Sequence, residues 1–263
     1  MQEWLEILSF LFIPAFYAGV LRMMVPITLG AVGEIIAERS GVVNIGLEGI
    51  MMLSALVSTF VGHFTGSMTL ALLAGLGIGL VTGVLHAVIA VNLAGDQIID
   101  GVGLNLFAMG LGEVVLYFTW GSFATSPPLP PELRIPSIYG FSPFAIIAVV
   151  LSLIAWFFIE KTRWGLRLKA VGEDPVAAEA AGIDVFRVRI LATIVGSVLT
   201  SGAGVFLAMD WLGAYTKNIS AGRGFIALAL VVFSRWNPAD MSRVATYGRD
   251  QRNWSGTIPL GMD

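Results

Sequence analysis

From residue 49 to residue 95 the chain carries no Asp, Glu, Lys or Arg. The hydrocarbon core of a bilayer is about 30 Å thick and takes about 20 apolar residues per spanning helix. The charge-free run therefore fits two spans, with a turn at residues 62–67, where Gly, Thr and Ser gather. Composition agrees: 56% of the 263 residues are hydrophobic and 13% charged, where a soluble chain has about 45–50% and about 25%. That excludes a soluble enzyme, a disordered chain and a fibrous protein. The expected fold class is an all-α polytopic membrane helix bundle of about seven hydrophobic segments. Further spans are expected at residues 5–25, 98–119, 141–159 and 190–209. A short seventh segment starts near Gly224 and is interrupted by Arg235.

With no Cys, a disulfide framework, a thiolate metal site and a Cys nucleophile are excluded. A net charge of −3 gives no basis for nucleic-acid binding. The first residues include Glu3 and Glu6 where a secretory leader would be basic. Lys161, Arg163, Arg167, Lys169, Arg187 and Arg189 crowd the connection between the fifth and sixth spans. By the positive-inside rule this loop is cytoplasmic. The preceding connection holds Pro127, Pro128, Pro130, Pro131 and Pro136 with a single Arg and is expected outside. Gly75, Gly79 and Gly83 share a helix face, and Gly196, Ser197, Ser201, Gly202 and Gly204 form a second small patch. Such faces let membrane helices approach closely.

Within the basic loop, Asp174 suits an N-cap, Pro175 a first helical position and Gly182 a C′ position. Residues 176–181 between them are Ala-rich, so a rigid helix about 10 Å long is expected. Upstream, Gly41, Gly46 and Gly49 interrupt a helical pattern beside Asn44 and Glu48. A broken helix is tolerated in a membrane only against protein or a watery cavity, and transporters often place solute near such breaks. Gln97, Asn105 and Glu113, eight apart, fall on one side of the fourth span, facing the bundle interior. These five are the candidate substrate-pathway residues. A cap network at a span end is the competing reading for Asn44 and Glu48, and hydrogen bonding to a neighbouring helix for Glu113. His63 and His86 are read as packing or interface residues.

No zinc motif, nucleophile elbow or phosphate loop is present, so no catalytic or metal-ligating residue is assigned. Transport energy must come from a gradient or from a separate ATPase.

Three stretches carry a resemblance. They are GEIIAERSGVVNIGLEGIM at 33–51, GLRLKAVGEDP with AAEAAGI at 165–175 and 177–183, and AGRGFIALALV at 221–231 followed by RWNP. Together they make residues 1–238 resemble the permease subunits of bacterial ABC importers, in the branch serving nucleosides and simple sugars. The resemblance implies a multi-pass protein of the bacterial inner membrane. It implies four kinds of partner: an ABC ATPase that hydrolyses ATP, a second permease subunit, an extracytoplasmic solute-binding protein, and membrane lipid. No cofactor is implied in this chain. The short loop helix becomes the coupling helix, with Gly172, Glu173, Asp174, Pro175, Ala177, Ala178, Glu179, Ala180, Ala181 and Gly182 at the ATPase. Nucleoside over sugar rests on residues 39–51. A gradient-driven carrier and an intramembrane enzyme of lipid metabolism are the alternatives.

Asn237, Pro238 and Ala239 spell one copy of a water-channel triplet, which is read as chance. After Pro238 the character changes. Residues 239–263 are polar, carry Asp240, Arg243, Arg249, Asp250 and Arg252, and hold no apolar run able to span. The family is hydrophobic there, so the expectation is an atypical tail from a frameshift or truncation, and a bundle lacking its last helix or helices.

Overall fold

The structure is a computed structural model that describes residues 14–136, 142–236 and 238. Nine α-helices are described: α1 (Pro14–Glu38), α2 (Leu47–Thr65), α3 (Met68–Ala87), α4 (Gln97–Trp120), α5 (Pro143–Lys161), α6 (Arg163–Glu173), α7 (Pro175–Ala180), α8 (Val185–Phe206) and α9 (Arg223–Phe233). Five-residue and six-residue π-helical turns, Val88–Asn92 and Leu207–Leu212, extend α3 and α8. Among the described residues the one extended pairing joins Thr125 to Thr216. Among the described residues six helices are long and apolar enough to cross a membrane, which makes the chain a multi-pass membrane protein. The tail at 239–263, and with it the expected break in family pattern, lies outside the described residues, as do residues 1–13.

The helix ends follow local chemistry. Gly66 closes α2 at φ +62°, and Ser67 caps α3. Asp96 caps α4 through the amides of Ile98 and Ile99. Ser142, Thr162 and Asp184 cap α5, α6 and α8. Each cap satisfies amides that the first helical turn leaves without partners.

The layering follows burial. The spans in α2 and α8 are 72% and 67% buried and form the centre, while those in α4 and α5 are 22% buried and lie outside. α1, α3 and α8 pack most closely. A Cβ on Gly33 would overlap the carbonyl of Gly196, and a Cβ on Gly196 that of Gly33. The expected glycine ladder of α3 meets the small patch of α8: Gly79 lies against Ser197 and Ser201, and Gly83 against Ser197 and Ile194. In an apolar solvent close packing substitutes for hydrophobic driving force between helices.

One span differs in place. The first was expected at 5–25, but the described helix runs to Glu38 and passes through Pro26. Charges carried by this helix are satisfied internally. Arg22 pairs with Asp210, the Glu34 carboxylate accepts the Asn44 amide at 2.7 Å, and Glu38 accepts the indole N–H of Trp236. The sixth span begins earlier than expected, at Val185. The basic loop also contains α6, a helix the sequence reading did not anticipate.

Candidate functional site

Two partly buried stretches of non-helical backbone are tied together by one side chain, Glu48. The first, residues 39–46, links α1 to α2. The second, residues 213–222, starts where Gly213 and Tyr215 pair with the 125–129 loop, through Leu129 N–H to Gly213 at 2.7 Å and Ser126 N–H to Tyr215 at 2.8 Å. It then runs inward to the start of α9. That helix has 11 residues, about 16 Å at 1.5 Å per residue, half of what a crossing needs. Its far end returns to α1, where the Arg39 guanidinium donates to the Trp236 carbonyl at 3.1 Å. The short seventh segment of the sequence reading is therefore a half-helix preceded by a stretch of irregular backbone.

Glu48 joins the two. It sits in the first turn of α2 and is 5% exposed. One carboxylate oxygen accepts the Ser220 hydroxyl and the Gly222 amide, each at 2.6 Å, and the other accepts the Gly224 amide at 2.7 Å. The N-termini of α2 and α9 thus converge on one carboxylate. Both helix dipoles favour an anion there, and three donors that would otherwise be orphaned at membrane depth are satisfied. Gly224 is needed because a Cβ there would overlap the Glu48 backbone.

The first segment is held by its own polar set. The Val43 amide donates to Gln97 and the Asn44 amide to Glu34, each at 2.7 Å. The Asn44 side chain accepts the Gly46 amide at 2.9 Å. Asn105 accepts the Gly49 amide at 2.6 Å and donates to the Ile45 carbonyl at 3.0 Å. His86, buried, bridges Asp100 and the Val43 carbonyl. Gly46, Gly49 and Gly101 let α4 approach, since a Cβ on Gly101 would lie 2.8 Å from the Gly46 nitrogen. Of the five candidate pathway residues the structure thus gathers Asn44, Glu48, Gln97 and Asn105 around residues 42–49. Glu113 is separate: its carboxylate pairs with Lys217 at 2.7 Å, towards the other end of α4.

The loop helix forms as its residues dictate. Asp174 accepts the Ala177 amide at 2.9 Å, Pro175 opens α7, and Gly182 follows at φ +82°. Preceding it, α6 is clamped at two glycines. A Cβ on Gly165 would overlap the Phe158 and Ile159 carbonyls at the end of α5, and one on Gly172 the Arg39 carbonyl at the end of α1. Arg189, at the start of α8, donates to the Ser40 carbonyl at 3.1 Å. The loop is thus in contact with residues 39–41, and through the same segment with Glu48.

Several of these residues were missed: Glu34, Asp100, Arg189, Ser220, and the cluster in which Arg22 and Ser142 bind Asp210. An acid inside an apolar helix is a signal by itself, and Glu34 and Asp210 carry it. Among the described residues no group of His, Cys, Asp and Glu could hold a metal ion.

The comparisons with known proteins agree with this architecture. Residues 16–247 match the family described as branched-chain amino acid transport system / permease component. The chain is 36% identical to the nucleoside ABC transporter permease protein NupC of Lactococcus lactis, over 84% of this chain and 75% of that one. It is 34% identical to the guanosine ABC transporter permease protein NupQ of Bacillus subtilis, over 81% and 73%. It is 32% identical to the putative glucose ABC transporter permease protein TsgC13 of Haloferax volcanii, over 86% and 74%. No solved structure gives a significant match. These relationships favour a permease over a gradient-driven carrier or a lipid-metabolising enzyme. The chain belongs to the family of permease components of branched-chain amino acid transport systems, and is the membrane-spanning permease subunit of an ABC importer.

Proposed function

We propose that this permease moves a nucleoside, or failing that a simple sugar, across the bacterial inner membrane, driven by ATP hydrolysed in a partner ATPase. The solute class is supported by the names of its relatives, two of which transport nucleosides or guanosine. The observation that carries the coupling is the contact of α6 and α8 with residues 39–41. In this reading α7 docks on the ATPase through Asp174, Pro175, Ala177, Glu179 and Ala180, with Gly172, Glu173, Ala178, Ala181 and Gly182 shaping the loop. A displacement of α7 reaches Arg39 and Ser40, then residues 42–46, and then α9 through Glu48. Discontinuous helices that meet within the bundle are where transporters place solute and move against one another. Asn44, Glu48, Gln97 and Asn105 act by holding the two broken segments in place beside the pathway. Glu113 and Lys217 stand nearer its outer mouth.

The remaining partners follow from the same reading: a second permease subunit, a solute-binding protein at the end carrying residues 121–136, and the lipid around α4 and α5. No cofactor is assigned to this chain. The polar tail after residue 238 stands in for apolar sequence. A chain given a hydrophobic continuation in its place should take up more solute at equal expression, and equal uptake would make the tail native.

The test is gentle purification of the tagged chain with its neighbours, followed by uptake of labelled nucleoside in competition with ribose. An ATP-binding subunit that comes with the chain, and uptake blocked by nucleosides but not by ribose, is the expected result. Blockage by ribose alone would move the substrate to sugars. Absence of any ATPase would remove the coupling assignment.

A further inference from the structure

On the flank of the bundle nearest the basic loop, α5, α6 and α8 enclose a groove of about 410 Å³. Its walls are apolar, formed by Ile154 and Phe158 of α5, Trp164 and Leu168 of α6, and Leu191 and Val195 of α8. Its size falls within the about 300–1,000 Å³ typical of small-molecule sites. Ala155 and Ala192, 6% and 5% exposed, are small residues of its lining, so a bulky side chain at either would occupy part of it.

Basic residues flank the lining residues Phe158, Trp164 and Leu168 in the chain. The guanidinium of Arg167 lies 5.1 Å from the centre of the Trp164 ring, and the Lys161 ammonium 5.9 Å from that of Trp156. Arg163, the residue before Trp164, is exposed. Two acids of this loop are already paired: Glu160 with Lys169 at 2.5 Å and Asp184 with Arg187 at 2.9 Å. Among the described residues no carboxylate pairs with Lys161, Arg163 or Arg167. The two Trp residues mark the level of the membrane–water boundary, where their amphipathic rings are favoured. An apolar slot lined by Trp164, on which Arg167 stacks, and close in the chain to Lys161 and Arg163, matches a molecule with an apolar tail and an anionic head.

We propose that this groove seats an acyl chain of one anionic phospholipid, whose phosphate is held by Lys161, Arg163 and Arg167. The lipid then braces α6, the helix that bears on Arg39 through Gly172, so the site lies beside the link between the basic loop and the broken segment.

The test uses the purified full chain in mild detergent. It is titrated with dioleoylphosphatidylglycerol and with dioleoylphosphatidylcholine, which share acyl chains and differ in headgroup charge, and bound lipid is counted by native mass spectrometry. Phosphatidylglycerol should fill one site and displace phosphatidylcholine. Each of Lys161→Gln, Arg163→Gln and Arg167→Gln should weaken that preference about fivefold, the usual worth of a juxtamembrane cation. These side chains are exposed, so the variants keep their fold. Ala192→Phe, or Ala155→Leu should the first not fold, should lower retention of both lipids. Equal binding of the two lipids, or an undiminished preference in the triple variant, overturns the proposal. So does competition by millimolar inorganic phosphate, which would assign the cations to a free anion. A dimer of the chain that Ala192→Phe dissociates would put a second copy in the groove and overturn it as well.

Discussion

Two regions of this bundle hold backbone together at membrane depth by different means. Where α1, α3 and α8 cross, the backbone is regular and its hydrogen bonds are internal, so the helices need only approach. They do so through Gly33, Gly196, Gly79 and Gly83. Around residues 42–46 and 213–222 the backbone is irregular, and amides there and in the first turns of α2 and α9 are met instead by Glu34, Asn44, Glu48, Gln97 and Asn105. The first region resists change in volume and the second resists change in charge or in hydrogen-bonding capacity. The lesson is that polar residues in an apolar chain can be structural because irregular backbone needs them there.

The comparison breaks most sharply at the glycine seam. Gly33→Leu places a side chain against the Gly196 carbonyl, with no room for it. Overpacking costs about 1–3 kcal/mol and occasionally more, and here backbone must move, so loss of monodisperse protein on size-exclusion chromatography is expected. A variant that purifies normally would mean that α1 and α8 can part.

Glu48→Gln tests the second region with almost no change in volume. An amide can accept at only one of the two oxygens now used, leaving at least one donor orphaned, at about 1–3 kcal/mol. Detergent half-life should shorten and uptake should fall, whereas the same substitution at Glu113 should do neither to that extent. Equal effects at the two sites would remove the special place of Glu48.

Asp174→Ala removes the cap of α7, worth about 1 kcal/mol. Global stability should barely change, because the loop is peripheral, while ATP hydrolysis in the assembled transporter should lose its dependence on solute. Unchanged coupling would make α7 an anchor only. A bulky residue at Ala180 with reversed charge at Glu179 should do the same more strongly.

The smallest effect is expected at Glu113→Gln. The partly exposed pair with Lys217 is worth about 0–1 kcal/mol. The unfolding midpoint should stay within error of the parent, and a loss as large as that of Glu48→Gln would show that this pair is buried against a partner.

Much of the fold was legible from residues near one another in sequence. The charge-free run, the turn at Gly66 and Ser67, the glycine ladder, and Asp174, Pro175 and Gly182 around α7 all act over a few positions, so spacing reveals them. The candidate site was legible only in its membership. Asn44, Glu48, Gln97 and Asn105 could be named as polar groups in an apolar setting, but what each binds could not. Glu34 and Arg22 were missed because their partners, the Asn44 amide and Asp210, are set by the fold rather than by spacing, and α6 was missed because its amphipathic face has meaning only against α5 and α1.

The sequence by itself determined the solvent of this chain, the number of its long spans and the local caps, since these depend on hydropathy and on contacts within one turn. Tertiary structure alone decided which polar groups are satisfied and by whom. Arg22 meets Asp210, Glu48 meets Ser220, Gly222 and Gly224, and Arg39 meets Trp236, pairs that stand 172 to 197 positions apart. A polar group in an apolar medium must find a partner, but any of several would serve, and only the packing of the helices brings one of them within reach.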